Sequence, residues 1–231
     1  MPFTAQQKYE SFSVRIPLRG ILMDGDLVVP PLAEGVVLFA HGSGSSRFSP
    51  RNRAVAVELN SAGFATLLLD LLTPSEERWD VTTAALRFDV DLLASRLVTA
   101  TDWLAARSET ADLGVGYFGA STGAAAALIA AAHRQGVVRA VVSRGGRPDL
   151  AGPLLGKVRA PTLLIVGGDD TPVIDLNRDA FRQLRGIREL TIVPHASHLF
   201  EEPGTLEQVT RLAREWYRRY LTPASPPGAA G

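Results

Sequence analysis

The sequence predicts an α/β fold in which one doubly wound, mainly parallel sheet carries helices on both faces. Two observations predict it. Continuous apolar runs recur at 36–40, 65–70, 113–118, 137–143, 162–166 and 189–193. Runs of that length and character are strands buried on both faces, as parallel strands are. Segments of helical length separate them, and strand–helix alternation builds a parallel sheet through crossover connections. A third observation sets one edge. Residues 13–18 alternate polar with apolar, Asp24-Gly25 reads as a turn, and 26–29 is a second strand ended by Pro30-Pro31. Two antiparallel strands are therefore expected at the N-terminal edge.

The helices follow in order. Ser49-Pro50 opens the first, with serine as N-cap and proline at the first helical position, and Gly63 stops it. Residues 82–107 read as one long helix, with Thr82 or Thr83 near its start. An alanine-rich helix covers 124–132. Another runs over 175–184, with Asp175 as its cap, and 205–221 is the closing helix. Between Ser143 and Pro161 there is room for one short helix, so no cap domain is expected and the pocket should be open and shallow. No internal repeat or linker divides the chain. Residues 1–222 are read as a single domain and 223–231 as a disordered tail rich in proline, alanine and glycine.

Composition removes several functions. The 231 residues carry a formal net charge of zero, which argues for neither nucleic acid nor an anionic membrane as partner. There is no cysteine, hence no disulfide framework, thiolate metal site or cysteine nucleophile. The N-terminus lacks the apolar core of a secretory signal, and no run is long enough to span a bilayer. A cytoplasmic location is the expectation. No metal site and no cofactor are expected. The oligomeric state is not written in the sequence.

Chemistry is concentrated at Gly119-Ala120-Ser121-Thr122-Gly123, a G-x-S-x-G between a strand and a helix. Such a turn lifts one serine hydroxyl above the end of the sheet. Serine is a poor nucleophile without a histidine base, and the base needs a carboxylate to hold its tautomer. Of four histidines, His195 and His198 lie just past the last strand, at the edge where active groups gather in open α/β sheets. His133 lies at the far end of the elbow helix. Asp169 and Asp170 follow the strand between. His198 has more loop than His195 with which to curl back over the elbow. The chain order is Ser, Asp, His.

These residues resemble the α/β-hydrolases of the dienelactone-hydrolase-like group. The resemblance runs from about Val14 to Tyr220. It is carried by Ala40-His41-Gly42-Ser43-Gly44 after the first parallel strand, the elbow, Gly168-Asp169-Asp170-Thr171-Pro172-Val173 and Ala196-Ser197-His198. It implies an α/β-hydrolase fold and a triad of Ser121, Asp170 and His198. In such proteins the acid stands three residues before a valine, as Asp170 does, and the base follows two small residues. Asp169 and His195 are the alternatives. Members of the group proper use cysteine where this chain has Ser121, so their lactone substrate does not carry over. Some relatives are fused to a phosphoribosyltransferase domain, for which 231 residues are too few.

An oxyanion hole is expected from the N–H of Thr122 and of Ser43, with Gly44 second to Ser43. His41 should be a structural hydrogen-bonding residue. Gly44 and Arg144 are candidate substrate-binding residues. Arg144 and Arg147 follow a strand that ends near the site and could hold an anionic group, while an Arg147–Asp149 salt bridge is the simpler use of Arg147. The reading is a serine hydrolase of carboxylic esters, thioesters or lactones acting on a small molecule. A non-catalytic binding or regulatory protein on the same fold is the alternative.

Overall fold

The computed structural model describes residues 9–222; the tail predicted at 223–231 lies outside them. Eight strands form one sheet: β1 (Glu10–Leu18), β2 (Ile21–Val29), β3 (Val36–Ala40), β4 (Ala65–Leu69), β5 (Val115–Ala120), β6 (Val138–Arg144), β7 (Thr162–Gly167) and β8 (Arg188–Val193). Their order is β1-β2-β4-β3-β5-β6-β7-β8. β1 and β2 pair antiparallel with their neighbours, and β4 through β8 are joined by parallel ladders. The predicted sheet and its antiparallel edge are both present.

Each central strand feeds two cores because its side chains alternate faces. Leu38, Leu67, Tyr117, Val141 and Leu164 point to one side, under α3 (Val90–Ala105) and α4 (Thr122–His133). Val37, Phe39, Phe118, Val142 and Ile165 point to the other, under α1 (Pro50–Ser61) and α6 (Thr205–Tyr220). Burial on both faces explains the unbroken apolar runs. On α6, Val209, Ala213, Trp216 and Tyr217 make the buried stripe. The Tyr217 hydroxyl donates to the Tyr117 carbonyl at 2.7 Å, fastening the last helix to the strand that precedes the elbow.

Three local expectations are corrected. The hairpin turn is Arg19-Gly20, both at positive φ, not Asp24-Gly25. Two-residue hairpins favour that geometry. Gly25 lies inside β2, where a Cβ would meet Leu67 Cδ1 at 3.1 Å and Leu68 O at 3.2 Å. The expected long helix over 82–107 is two. α2 (Pro74–Thr83) begins at a capping box between Thr73 and Glu76, and α3 begins at Asp89, which caps Leu92 N–H at 2.9 Å. Thr82 and Thr83 lie in the last turn of α2 and do not start a helix. Between the helices the Asp80 carboxylate accepts the N–H groups of Leu86 and Arg87 and the Arg87 guanidinium, replacing helical bonds. Burial would raise the Asp80 pKa, but those donors outweigh it and hold the group below its ordinary range. Finally, α5 (Thr171–Gln183) starts at Asp170, so Asp175 is inside it and pairs with Arg178. No described helix is long and apolar enough to cross a membrane.

Candidate active site

β5 runs directly into Ser121, and α4 starts at the next residue. The Ser121 backbone, at φ 51° and ψ −123°, sits where side chains other than glycine are strained. Such a residue costs roughly 1–3 kcal/mol. The flanking glycines make the turn possible. A Cβ on Gly119 would lie 2.5 Å from Ala124 Cα, and one on Gly123 would lie 2.2 Å from Ala40 O. Backbone bonds lock the bend: Ser121 N–H donates to Arg144 O, and Arg147 N–H donates to Ser121 O. The Ser121 side chain makes no capping hydrogen bond, so it is not serving the helix as an N-cap. It opens on a cavity of about 260 Å³ shared with His198, Arg144, Arg51 and Leu199.

The loops after β7 and β8 cross at Gly167, where a Cβ would stand 2.3 Å from Ala196 O. That close crossing brings the His198 Nδ1 to 2.7 Å from Asp170 Oδ2. Asp170 occupies the N-cap position of α5 yet makes no capping bond with its side chain; its carboxylate is turned to the imidazole instead. With Nδ1–H given to Asp170, Nε2 is the nitrogen left to take a proton. The His198 loop is pinned by buried Phe200 and by Glu202, which accepts Ser197 N–H at 3.0 Å. Asp169 and His195 are exposed, and neither lines the cavity.

Thr122 is the first residue of α4, so its N–H has no partner inside the helix. Ser43 lies beside it, with Ser43 N–H donating to Thr122 Oγ1 at 3.0 Å. His41 is structural: its Nδ1 bonds the Gly42 carbonyl, and its Nε2 accepts Leu71 N–H. Burial lowers its pKa and keeps the ring neutral. Gly44 is placed elsewhere. It lines a neighbouring cavity of about 300 Å³ with Asp70, Glu77 and Asp80. Arg147 is taken by Asp149 through two bonds of 2.9 and 2.8 Å.

Arg144 lines the Ser121 cavity with only 6% of its surface exposed. Burial, aided by nearby Arg51, pushes its pKa down to about 10, so it remains a cation at neutral pH. Arg51 and Asn52 escape a reading of the sequence. Their only signal there is a position just after the first helix cap, at the same edge of the sheet as the elbow. Among the described residues, no group of three or more His, Asp or Glu is placed to hold a metal ion.

The model of the dienelactone hydrolase family matches residues 23–220. A protein of Mycobacterium tuberculosis (strain ATCC 25618 / H37Rv), named "Putative phosphoribosyl transferase Rv0571c", is 61% identical over 204 residues, which are 88% of this chain and 45% of that protein. The chain thus spans less than half the length of the curated relatives it matches. The crystal structure of dienelactone hydrolase from Anabaena variabilis shares 60% identity at a TM-score of 0.91, covering 92% of this chain and 99% of that one. Est1E from Butyrivibrio proteoclasticus, 16% identical with a TM-score of 0.75, covers 90% of this chain and 98% of its own and shares the fold. By these matches the chain belongs to the dienelactone hydrolase family, on an α/β-hydrolase fold.

Proposed function

We propose that this protein is a serine hydrolase that cleaves carboxylic esters through an acyl-enzyme. One observation carries the reading: a histidine bonded to a buried-side carboxylate at 2.7 Å opens on the same cavity as a serine on a strained elbow. Ser121 Oγ attacks the carbonyl carbon, and its proton passes to His198 Nε2. Asp170 holds the tautomer and stabilises the imidazolium. The tetrahedral oxyanion takes Thr122 N–H, and the start of α4 adds its positive dipole end. The C–O bond breaks as His198 returns the proton to the departing alcohol. Water, deprotonated by the same base, then releases the acid.

Ser43 N–H is the second donor in this scheme. It is already bonded to Thr122 Oγ1, so it serves an oxyanion by sharing that hydrogen or by shifting the loop. A thioester or lactone fits the same steps. The small cavity, and a β6–β7 connection holding only a 3₁₀ helix (Pro148–Lys157), favour small esters. The names of the mycobacterial relatives describe proteins more than twice as long as the matched segment. Fluorophosphonate labelling tests the reading. Wild type should be labelled and Ser121→Ala should not. An unlabelled wild type, with no turnover of p-nitrophenyl acetate, would favour a non-catalytic binding protein.

A further inference from the structure

We propose that the Ser121 cavity selects anionic esters, with the Arg144 guanidinium binding a carboxylate or phosphate that lies within one arginine side chain of the scissile carbonyl. This rests on the serine-hydrolase reading and names the substrate class of the same site. Arg144 ends β6, and its carbonyl accepts the Ser121 N–H, so its backbone is fixed against the nucleophile.

The side chain is buried but hardly satisfied. Its polar contact among the described residues is Nη1 to Leu199 O at 3.5 Å, the outer limit of a hydrogen bond. Nε is buried without a partner. The Phe200 ring lies 5.9 Å away, and among the described residues no carboxylate pairs with the guanidinium. A buried cation with no counter-ion is costly, and sequences shed that cost unless function holds the residue in place. A substrate anion would supply the missing partner through charge-assisted, two-pronged bonds.

The surroundings agree in sign. Arg51, in the first turn of α1, lines the same cavity and is paired with Glu201 at 2.8 Å. One positive charge is left over. No Asp or Glu lines this cavity, whereas Asp70, Glu77 and Asp80 line the one beside it. An anionic substrate group is therefore directed to the Arg144 side.

The test compares monomethyl glutarate and methyl 3-phosphonopropionate with neutral dimethyl glutarate, following methanol release. Wild type should favour an anionic ester by about ten- to hundredfold in kcat/KM, and the better of the two anions identifies the group. Arg144→Met should bring that ratio to about one through KM, with a Tm equal to or above wild type. Arg144→Lys should keep part of the preference. A merely structural arginine gives another pattern: Arg144→Met lowers Tm and slows all three esters in parallel.

A wild-type ratio near one, or a ratio that survives Arg144→Met, overturns the proposal. Should Arg144→Met fail to fold, the wild-type ratio and the Lys variant decide. Fluorophosphonate labelling separates the two claims. A labelled enzyme indifferent to charge loses only the anion subsite. If the protein is neither labelled nor active, the subsite is judged by thermal shift with glutarate and inorganic phosphate. Stabilisation that disappears in Arg144→Met supports it, and none overturns it.

Discussion

Two buried arginines, Arg96 on α3 and Arg144 at the end of β6, are treated in opposite ways. Arg96 is 2% exposed and its two terminal nitrogens are paired: Nη1 reaches Leu71 O at 2.9 Å and Glu76 Oε2 at 2.8 Å, and Nη2 reaches Glu76 Oε1 at 2.5 Å, while Nε, like that of Arg144, is buried without a partner. Glu76 is in turn the capping-box residue of α2 and takes Thr73 N–H at 2.8 Å. Arg144 is nearly as buried and has one marginal bond. The first charge ties α2 and α3 to the sheet. The second adds nothing comparable to the fold and stands beside Ser121. A strained backbone, an open hydroxyl and a cation without a paired carboxylate gather beside Ser121, while α2 and α3 pair their buried charge through Glu76 and Arg96. That is the division expected when stability is given up locally for function.

The largest effects should fall on turnover at the Ser121 end. Ser121→Ala and His198→Ala should each cut p-nitrophenyl acetate hydrolysis by about 10⁴-fold or more, and Asp170→Asn by about 10⁴-fold, without unfolding the chain. His195→Ala and Asp169→Asn, outside the cavity, should change it far less. Steady-state kinetics on the five purified variants decides. A tenth of the wild-type rate in Ser121→Ala would remove the nucleophile. Equal defects for the two histidines, or for the two aspartates, would undo the choice within that pair.

Stability should reverse the ranking. Arg96→Met strands the Glu76 carboxylate and should cost about 3 kcal/mol in urea unfolding, the low end for a broken buried pair because Glu76 is partly exposed. Arg144→Met strands no carboxylate and should cost nothing. A loss at Arg144 as large as that at Arg96 would erase the contrast between the two arginines.

Acid should act on the Arg96 side too. Burial would raise the Glu76 pKa, but hydrogen bonds from Arg96 and Thr73, with the Arg96 charge, hold it at about 2 against an ordinary 4.5. A depressed carboxyl stabilises the fold above its unfolded pKa and stops doing so as pH falls through the folded one. The contribution is on the order of 2–3 kcal/mol. Wild type should therefore exceed Glu76→Gln at pH 7, and the gap should narrow steadily between pH 5 and pH 3. A gap independent of pH would mean that Glu76 acts through packing and not through charge.

The legible parts of the fold were those set by local chemistry. The apolar run 36–40 is β3 to the residue, Ser49-Pro50 caps α1 as expected, and the elbow, Asp170 and His198 stand where chain order put them. What was not legible depends on distant partners. Residues 82–107 contain nothing that forbids a helix. The break at 84–89 comes from the Asp80 carboxylate capturing N–H groups six and seven residues away. The Thr73-Pro74-Ser75-Glu76 capping box was present as a signal and would have marked α2. Gly25 carries a turn signal in the sequence, but the reason for a glycine there is Leu67 and Leu68 on the neighbouring strand. Arg144 was legible as a candidate, but its lack of a carboxylate is a tertiary fact.

The smallest effect belongs to a third arginine, two residues along the loop from Gly145. Arg147 makes a two-bond pair with Asp149 as well formed as that of Arg96, but its side chain is 38% exposed. Water already solvates both charges, so the pair gains little over its separated partners and is screened by salt. The bond that matters to the elbow is Arg147 N–H to Ser121 O, and a side-chain substitution leaves that bond in place. Arg147→Gln should therefore cost less than about 1 kcal/mol, a Tm change of roughly 2–4 °C at most for a domain of this size. It should leave ester turnover unaltered, since Arg147 does not line the Ser121 cavity. Urea unfolding at low and high salt is the measurement. A loss approaching that of Arg96→Met and insensitive to salt would show that bond geometry, and not burial, separates the arginines of this chain.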